Sequence, residues 1–115
     1  APSNPFVSVD PILAVDGVRE AVHARRADVV AVTPLIGGRA VKGPLAEMLQ
    51  SLGREQSAVG VAEHLADVAG AFVLDAEDAA LAPRIAALGL RAIVAPTLMR
   101  DAATRRALAR AALDG

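Results

Sequence analysis

Three short apolar runs divide the chain and predict the strands of a sheet. They cover residues 29–33, 72–74 and 92–95. Each run is almost continuously apolar, with no alternation of apolar and polar positions. That pattern is typical of strands buried on both faces, as in a parallel sheet.

Helical periodicity occupies the intervals between these runs. The clearest helix is predicted over residues 43–52, where four apolar side chains recur at helical spacing. Pro44 suits its first helical position, and Gly53 ends it. Further helices are predicted over residues 18–26, 57–66 with Ser57 as the cap, 83–88 before Gly89, and 101–113 with Asp101 as the cap.

The order of these elements is loop, α, β, α, α, β, α, β, α. Strands that alternate with helices imply right-handed crossovers and helices on both faces of a mostly parallel sheet. The pattern therefore predicts a layered α/β fold. Three strands make a small sheet, and the opening loop is expected to follow a strand that precedes this chain. We interpret residues 1–115 as part of a larger domain.

Composition excludes several function classes. Twelve Lys and Arg stand against 13 Asp and Glu, for a formal net charge of −1, so a protein that coats nucleic acid is not expected. With no Cys, the chain has no disulfide scaffold, thiolate zinc site or thiol nucleophile. Phe6 and Phe72 are its only aromatic residues, which leaves little for base stacking. No stretch of about 18 residues lacks charge, so no membrane partner is expected.

The segment that leaves the first predicted strand carries the most informative chemistry. Ligands of open α/β sheets bind beyond the carboxyl ends of the strands. Here Gly37 and Gly38 would let backbone N–H groups approach an anion, and Arg39 and Lys42 add positive charge before a helix N-terminus. Phosphate binding and a Gly-rich turn with solvated charges both remain open from these residues alone.

Two nucleotide-binding fingerprints are absent from this segment. Gly38 to Gly43 has the glycine spacing of a P-loop, but Pro44 stands where the lysine should be. No Gly-x-Gly-x-x-Gly sequence occurs in the chain. The chain is therefore neither a Walker NTPase nor a standard dinucleotide-binding fold.

Ser3, Asn4 and Ser8 form a second candidate group in the opening loop. Their hydroxyl and amide groups can bind phosphate oxygens or make Asx-type turns, and the residues alone favour the turn. A phosphate role for these three residues stays open.

The acidic residues and the histidines give weaker indications of a functional site than the two groups above. Asp75 follows the second predicted strand, where a magnesium ligand could lie, but a capping role for Asp75 or Asp78 is favoured. His23 and His64 are expected on helices, without a visible partner for acid–base chemistry. No metal site is predicted within the chain, and these residues do not identify a catalytic group.

Several stretches, taken in order, resemble the 2-phospho-L-lactate transferase family over essentially the whole chain. No single stretch is decisive, but together they are specific. They lie at residues 3–5, 8, 11–15, 17–20, 32–44, 57–62, 72–75, 78 and 97–99.

The resemblance implies a Rossmann-like fold and a cytoplasmic, dimeric enzyme of coenzyme F-420 biosynthesis. Such enzymes transfer a phospholactyl group, or in bacteria a phosphoenolpyruvyl group, from a guanosine diphosphate adduct to the deazaflavin Fo. They require Mg²⁺ and release GMP. This chain corresponds to the C-terminal portion, so catalytic and metal-binding residues are expected elsewhere, and the 115 residues alone are expected to be inactive.

Within this chain the resemblance implies a binding site for the diphosphate of the donor. The residues expected to form it are Ser3, Asn4, Ser8, Gly37, Gly38, Arg39 and Lys42. Asp10 departs from the family pattern, which tends to have Gly before Pro-Ile-Leu. A carboxylate there would repel a diphosphate unless it points away or meets magnesium.

Two other functions remain open from the sequence. One is a non-catalytic nucleotide-binding or regulatory module on the same fold. The other is an inert truncation product, whose exposed apolar sheet edge would make it an interaction surface.

Overall fold

The structure is a computed structural model that describes residues 2–40 and 43–115. The α-helices of the described ranges, α1 to α6, are Asp10–Leu13, Val18–Ala24, Leu45–Ser51, Ala58–Leu65, Ala82–Ala86 and Ala102–Asp114. The strands, β1 to β5, are Val30–Val32, Leu35–Ile36, Arg39–Ala40, Ala71–Leu74 and Arg91–Val94. Pro5–Val9 forms a π-helical turn, and Arg26–Asp28 and Ala76–Leu81 form 3₁₀ turns.

The main sheet contains three parallel strands in the order β1-β4-β5. Val32 is opposite Val73, and Val73 is opposite Ile93, so one row of aliphatic side chains crosses all three strands. Every residue of β4 is buried. The structure confirms the three predicted strands, their parallel pairing and an α/β fold compatible with Rossmann-like layering. The pattern was informative because a continuously apolar strand is stable only where both faces of the sheet are covered.

Helices cover both faces of this sheet, as predicted. Phe72 and Leu74 of β4 belong to the larger core, which they share with Leu49 of α3, Val61 of α4 and Ile85 of α5. On the opposite face, Val73 packs in a smaller cluster with Leu108 of α6, and Ala112 packs against that cluster. Alternate side chains of β4 therefore pack against helices on opposite faces of the sheet.

Local capping signals position two of the helices correctly. The Ser57 hydroxyl accepts a hydrogen bond from the Val59 N–H at 3.1 Å at the start of α4. At the start of α6, Asp101 and Thr104 form a reciprocal capping box. These caps satisfy N–H groups that have no partner inside the helix. Pro44 is the N-cap of α3 and not its first helical residue.

Residues 2–4 are irregular, in agreement with the predicted opening loop, but the chain is helical from Pro5 onward, where the prediction of a loop was wrong. Pro5 lies in the first turn of the π-helical segment, and α1 follows at once. The Asn4 side chain accepts hydrogen bonds from the N–H groups of Phe6 and Val7, at 3.0 and 3.3 Å. Asn4 therefore makes the capping turn that its residue type favours.

The segment after β1 forms a β-hairpin, whereas the sequence predicts only a Gly-rich turn between the first strand and the next helix. Leu35 pairs with Ala40 and Ile36 with Arg39 across a turn made by Gly37 and Gly38. Both glycines have positive φ, 61° and 76°, as a two-residue hairpin turn requires. None of the described helices has both the length and the apolar character needed to cross a membrane.

Candidate functional site

A cavity of about 340 Å³ lies where the opening segment meets the carboxyl ends of the strands. Its wall is formed partly by apolar side chains and partly by hydroxyl and amide groups. The lining residues are Pro2, Ser3, Asn4, Ser8, Thr33, Pro34, Ile36, Leu45, Thr97, Leu98 and Met99. The structure thus brings together the three predicted residues of the opening segment and the strand ends, at the edge where open α/β sheets bind ligands.

Ser3, Asn4 and Ser8 differ in what their side chains already contact. The Asn4 side-chain oxygen caps the opening turn, and its Nδ2 lies 3.4 Å from the Met48 sulfur. Within residues 2–40 and 43–115, the hydroxyls of Ser3 and Ser8 have no hydrogen-bond partner, although both residues line the cavity. These two hydroxyls are therefore available to a ligand.

Two threonines complete the polar part of the wall, and the sequence analysis missed both. Thr33 follows β1 and is buried, and its hydroxyl donates to the Leu35 carbonyl at 3.1 Å. Thr97 follows β5, and its amide and hydroxyl both donate to Asp75, at 2.8 and 2.9 Å. A signal was present, since Thr33 is the last residue of the first predicted strand and Thr97 lies two residues past the third.

A second cleft of about 410 Å³ adjoins the first and shares Ile36 and Leu98 with it. It lies over the ends of β4 and β5, and it carries charged groups. Its lining residues are Ile36, Asp75, Ala76, Glu77, Pro96, Leu98, Arg100 and Thr104. The two clefts together form one crevice along the carboxyl edge of the sheet.

Asp75 serves as a structural anchor between the two strand ends. One carboxylate oxygen accepts from Thr97, and the other accepts from the Glu77 N–H at 2.9 Å. Burial raises the pKa of the Asp75 carboxyl, but these hydrogen bonds outweigh burial and hold the pKa below its ordinary value. The predicted capping role is confirmed.

The described residues do not fit a magnesium site. No group of three acidic, His or Cys side chains in residues 2–40 and 43–115 is arranged to hold a metal ion. Asp75, which lies at the right strand end, has both oxygens engaged by N–H and O–H donors. Magnesium prefers several hard oxygen ligands in octahedral geometry, which this part of the chain does not offer.

The glycine pair of the hairpin adjoins the second cleft without lining it, since Ile36 and Glu77 of its wall lie beside Gly37. Gly37, Gly38 and Arg39 are not among the residues that line either one. The Gly37 N–H donates to the Asp78 carboxylate at 3.1 Å, so this amide already has an anionic partner. Lys42 lies outside the described residues.

The two histidines have partners that sequence reasoning missed. Nε2 of His64 lies 2.8 Å from an Asp10 oxygen, and Nδ1 of His23 lies 2.5 Å from the Asp67 carbonyl. Asp10 is absent from the lining of both clefts. Its carboxylate points to His64. This answers the concern, raised by the departure from the family pattern, that a carboxylate at this position would repel a diphosphate.

Comparison with known proteins gives concordant matches. The family model described as 2-phospho-L-lactate transferase CofD matches residues 1–91. A 2-phospho-L-lactate transferase of Methanosarcina acetivorans is 41% identical over 108 residues, which are 94% of this chain and 34% of the relative. A phosphoenolpyruvate transferase of Streptomyces griseus is 36% identical over 114 residues, 98% of this chain and 36% of the relative. A phosphoenolpyruvate transferase of Thermobifida fusca is 41% identical over 114 residues, which are 98% of this chain and 34% of the relative. The chain spans about a third of the length of the curated relatives it matches.

Proposed function

The chain belongs to the 2-phospho-L-lactate transferase family, and from this premise we propose that it forms the donor-binding part of a transferase in coenzyme F-420 biosynthesis. The donor is a guanosine diphosphate adduct of phospholactate or phosphoenolpyruvate, and the acceptor is the deazaflavin Fo. The observation that carries the proposal is the cavity at the carboxyl edge of the sheet, where Ser3 and Ser8 present unpartnered hydroxyls within the described chain.

The chemistry of this wall suits a nucleotide-linked donor. Leu98, Met99 and Ile36 offer apolar surface for the uncharged part of the ligand. The hydroxyls of Ser3 and Ser8 can donate hydrogen bonds to phosphate oxygens, and such charge-assisted bonds are about twice as strong as neutral ones. The arrangement resembles the common design of ligand sites, with apolar walls and a few polar groups that fix orientation.

A second group of donors is proposed for the far end of the diphosphate. Gly38 lies in the hairpin turn, and Arg39 and Lys42 come after it in sequence and carry the positive charge of this region. The Gly37 N–H is engaged by Asp78 in this structure, so it contributes to a ligand only if that bond opens. Lys42 stays a prediction from the sequence.

The proposed reaction needs the donor held while a hydroxyl of the acceptor attacks its phosphoryl group. A new P–O bond forms to Fo as its hydroxyl releases its proton to solvent, the P–O bond to the guanosine phosphate breaks, and GMP leaves. Such transfers depend mainly on alignment and on compensation of the phosphate charge. This chain's residues bind and orient the donor. We place the acceptor site, the catalytic residues and any Mg²⁺ site in the remainder of the protein, which we expect to be a cytoplasmic homodimer.

A kinetic comparison in the complete protein tests the donor site. We expect the Ser3→Ala/Ser8→Ala double variant to raise KM for the donor roughly five- to 150-fold, since each of the two lost hydrogen bonds contributes about 0.5–1.5 kcal/mol. KM for Fo should stay unchanged. GMP release and the F-420 precursor product are measured by chromatography.

Ser51→Ala is the matched control, because the Ser51 hydroxyl is exposed and donates only to the Glu47 carbonyl of its own helix. An unchanged donor KM in the double variant would contradict the proposed site. Binding of GDP without any transfer would instead favour a nucleotide-binding regulatory module.

A further inference from the structure

The opening turn that carries the cavity residues is joined to α4 by a pair of side chains. Nε2 of His64 lies 2.9 and 2.8 Å from the two carboxylate oxygens of Asp10. An ionised carboxylate only accepts hydrogen bonds, so Nε2 carries the hydrogen and donates. Because the two residues are 54 positions apart in sequence, this contact connects the opening segment to a helix of the main core.

The imidazole of His64 is held from two sides. Phe6, also in the opening segment, packs against the ring with centroids 4.5 Å apart and planes inclined by 54°. The side chains of His64 and Asp10 retain 19% and 30% of their exposure. This partial burial weakens the screening of the pair by water, so the contact is stronger than one between fully exposed groups.

Asp10 links this contact to the π-helical turn. Its backbone N–H donates to the Pro5 carbonyl and closes the turn, while its carboxylate accepts from His64. Ser8 lies inside the same turn, and Asn4 is the residue that caps it. Single π-helical turns occur frequently at functional sites.

We propose that Asp10 and His64 are positioning residues that hold Ser3, Asn4 and Ser8 at the wall of the donor cavity. The inference rests on the proposed function, because it assigns the positioned wall to the donor. Neither Asp10 nor His64 lines either cleft. Their effect on the donor is therefore exerted through the opening turn.

Paired substitutions of His64 in the complete protein separate positioning from simple packing. The side-chain nitrogen of Gln overlaps the place of Nε2, whereas that of Asn overlaps the place of Nδ1. We expect His64→Asn to raise the Kd for GDP, measured by titration calorimetry, roughly three- to tenfold. We expect His64→Gln to stay within about twofold of the wild type.

Asp10 gives the complementary half of the test. Asp10→Ser should weaken GDP binding as much as His64→Asn does, and the double variant should be no weaker than either single variant. His23→Asn is the matched control, since His23 is exposed and contacts the Asp67 carbonyl instead of the opening segment. Circular dichroism verifies that each variant is folded.

The outcomes are distinct. If wild-type protein does not bind GDP, the proposed donor is wrong, and the inference falls with it. If the wild type binds GDP and His64→Asn binds it equally well, or Asn and Gln weaken it equally, the positioning role is overturned while the proposed function stands. If His64→Asn does not fold, Asp10→Asn and Asp10→Ser decide in the same way, because Asn keeps an accepting carbonyl oxygen.

Discussion

One carboxylate oxygen of Asp75 accepts two hydrogen bonds from Thr97, from its amide at 2.8 Å and its hydroxyl at 2.9 Å. Asp75 follows β4 directly, and Thr97 lies just past β5. The contact therefore fixes the path of the chain that carries Leu98 and Met99 along the cavity. A buried acceptor with several donors is a sensitive position, because each donor left unpaired loses its water without compensation.

Asp75→Asn should destabilise the protein by about 1.5–3 kcal/mol. Asn has one accepting oxygen, so its amide nitrogen must face an N–H donor, either that of Glu77 or that of Thr97. The free energy of unfolding in urea measures the effect. Asp16→Asn is the control, since Asp16 is exposed and has no hydrogen-bond partner among the described residues. A cost for Asp75→Asn no larger than that of the control would contradict the anchoring role.

Stability should fall in acid partly because of the same carboxyl. The hydrogen bonds hold the pKa of Asp75 below its ordinary value, although burial alone raises it. The unfolded chain therefore takes up the proton first as the pH falls. The contribution of Asp75 is fully present above about pH 4, its value in the unfolded chain, and is lost as the pH drops through the lower folded value.

Urea unfolding between about pH 2 and 7 measures this dependence. Asp75→Asn should be less stable than the wild type at neutral pH, and the difference should shrink toward pH 2. The exposed Asp101, whose pKa is lowered by hydrogen bonds from Thr104, remains in both proteins and gives the same background. A difference that grows as the pH falls would reverse the sign and contradict the argument.

The sequence predicted those features that depend on neighbouring residues. The strands were predictable because burial on both faces needs a continuous apolar run, and the helix starts at Ser57 and Asp101 were predictable because caps are local. The opening turn had a local signal too, in Asn4 as a cap and Pro5 as a first helical residue. The sequence nevertheless predicts a loop there, with Pro2 and Pro5 on either side of Ser3 and Asn4.

The features that the sequence could not predict depend on tertiary contacts. The strands of the β2–β3 hairpin have two residues each, too few to show any period. Asp10 meets His64 across 54 residues, and Gly37 meets Asp78 across 41. No spacing rule relates such positions, because the layered packing of α4 and the strand ends brings them together. The position of the cavity at the carboxyl edge of the sheet was therefore predictable, but the polar contacts around it were not.

Gly60 should tolerate no side chain, because the backbone of residue 55 lies against it. A Cβ built on Gly60 would collide with the Glu55 carbonyl oxygen, and Gly60 is buried inside α4. Since that neighbour is backbone, Gly60→Ala should force the helix and the preceding loop apart and cost about 1–3 kcal/mol. The midpoint of urea unfolding measures the loss.

Gly89→Ala separates this steric effect from backbone strain. Gly89 has a positive φ of 87°, but a Cβ there would meet nothing within 4 Å. Its substitution should cost about 1 kcal/mol, from the left-handed conformation alone. The prediction for Gly60 fails if Gly60→Ala is the milder of the two.

The capping box of α6 provides a matched pair of substitutions within one helix. Asp101 accepts from the Thr104 N–H at 2.9 Å, and the Thr104 hydroxyl accepts from the Asp101 N–H at 3.0 Å. Asp101→Ala should destabilise the protein by about 1 kcal/mol, since it leaves an N–H of the first turn without its partner. Asp114→Ala, at the opposite end of α6, should be neutral or slightly stabilising, because an acidic residue opposes the helix dipole there. Thermal unfolding of both variants measures the difference in melting temperature. Equal melting temperatures would show that α6 does not depend on its cap. Because α6 packs against Val73 on one face of the sheet through Leu108, loss of the cap should also loosen the cover over Val73.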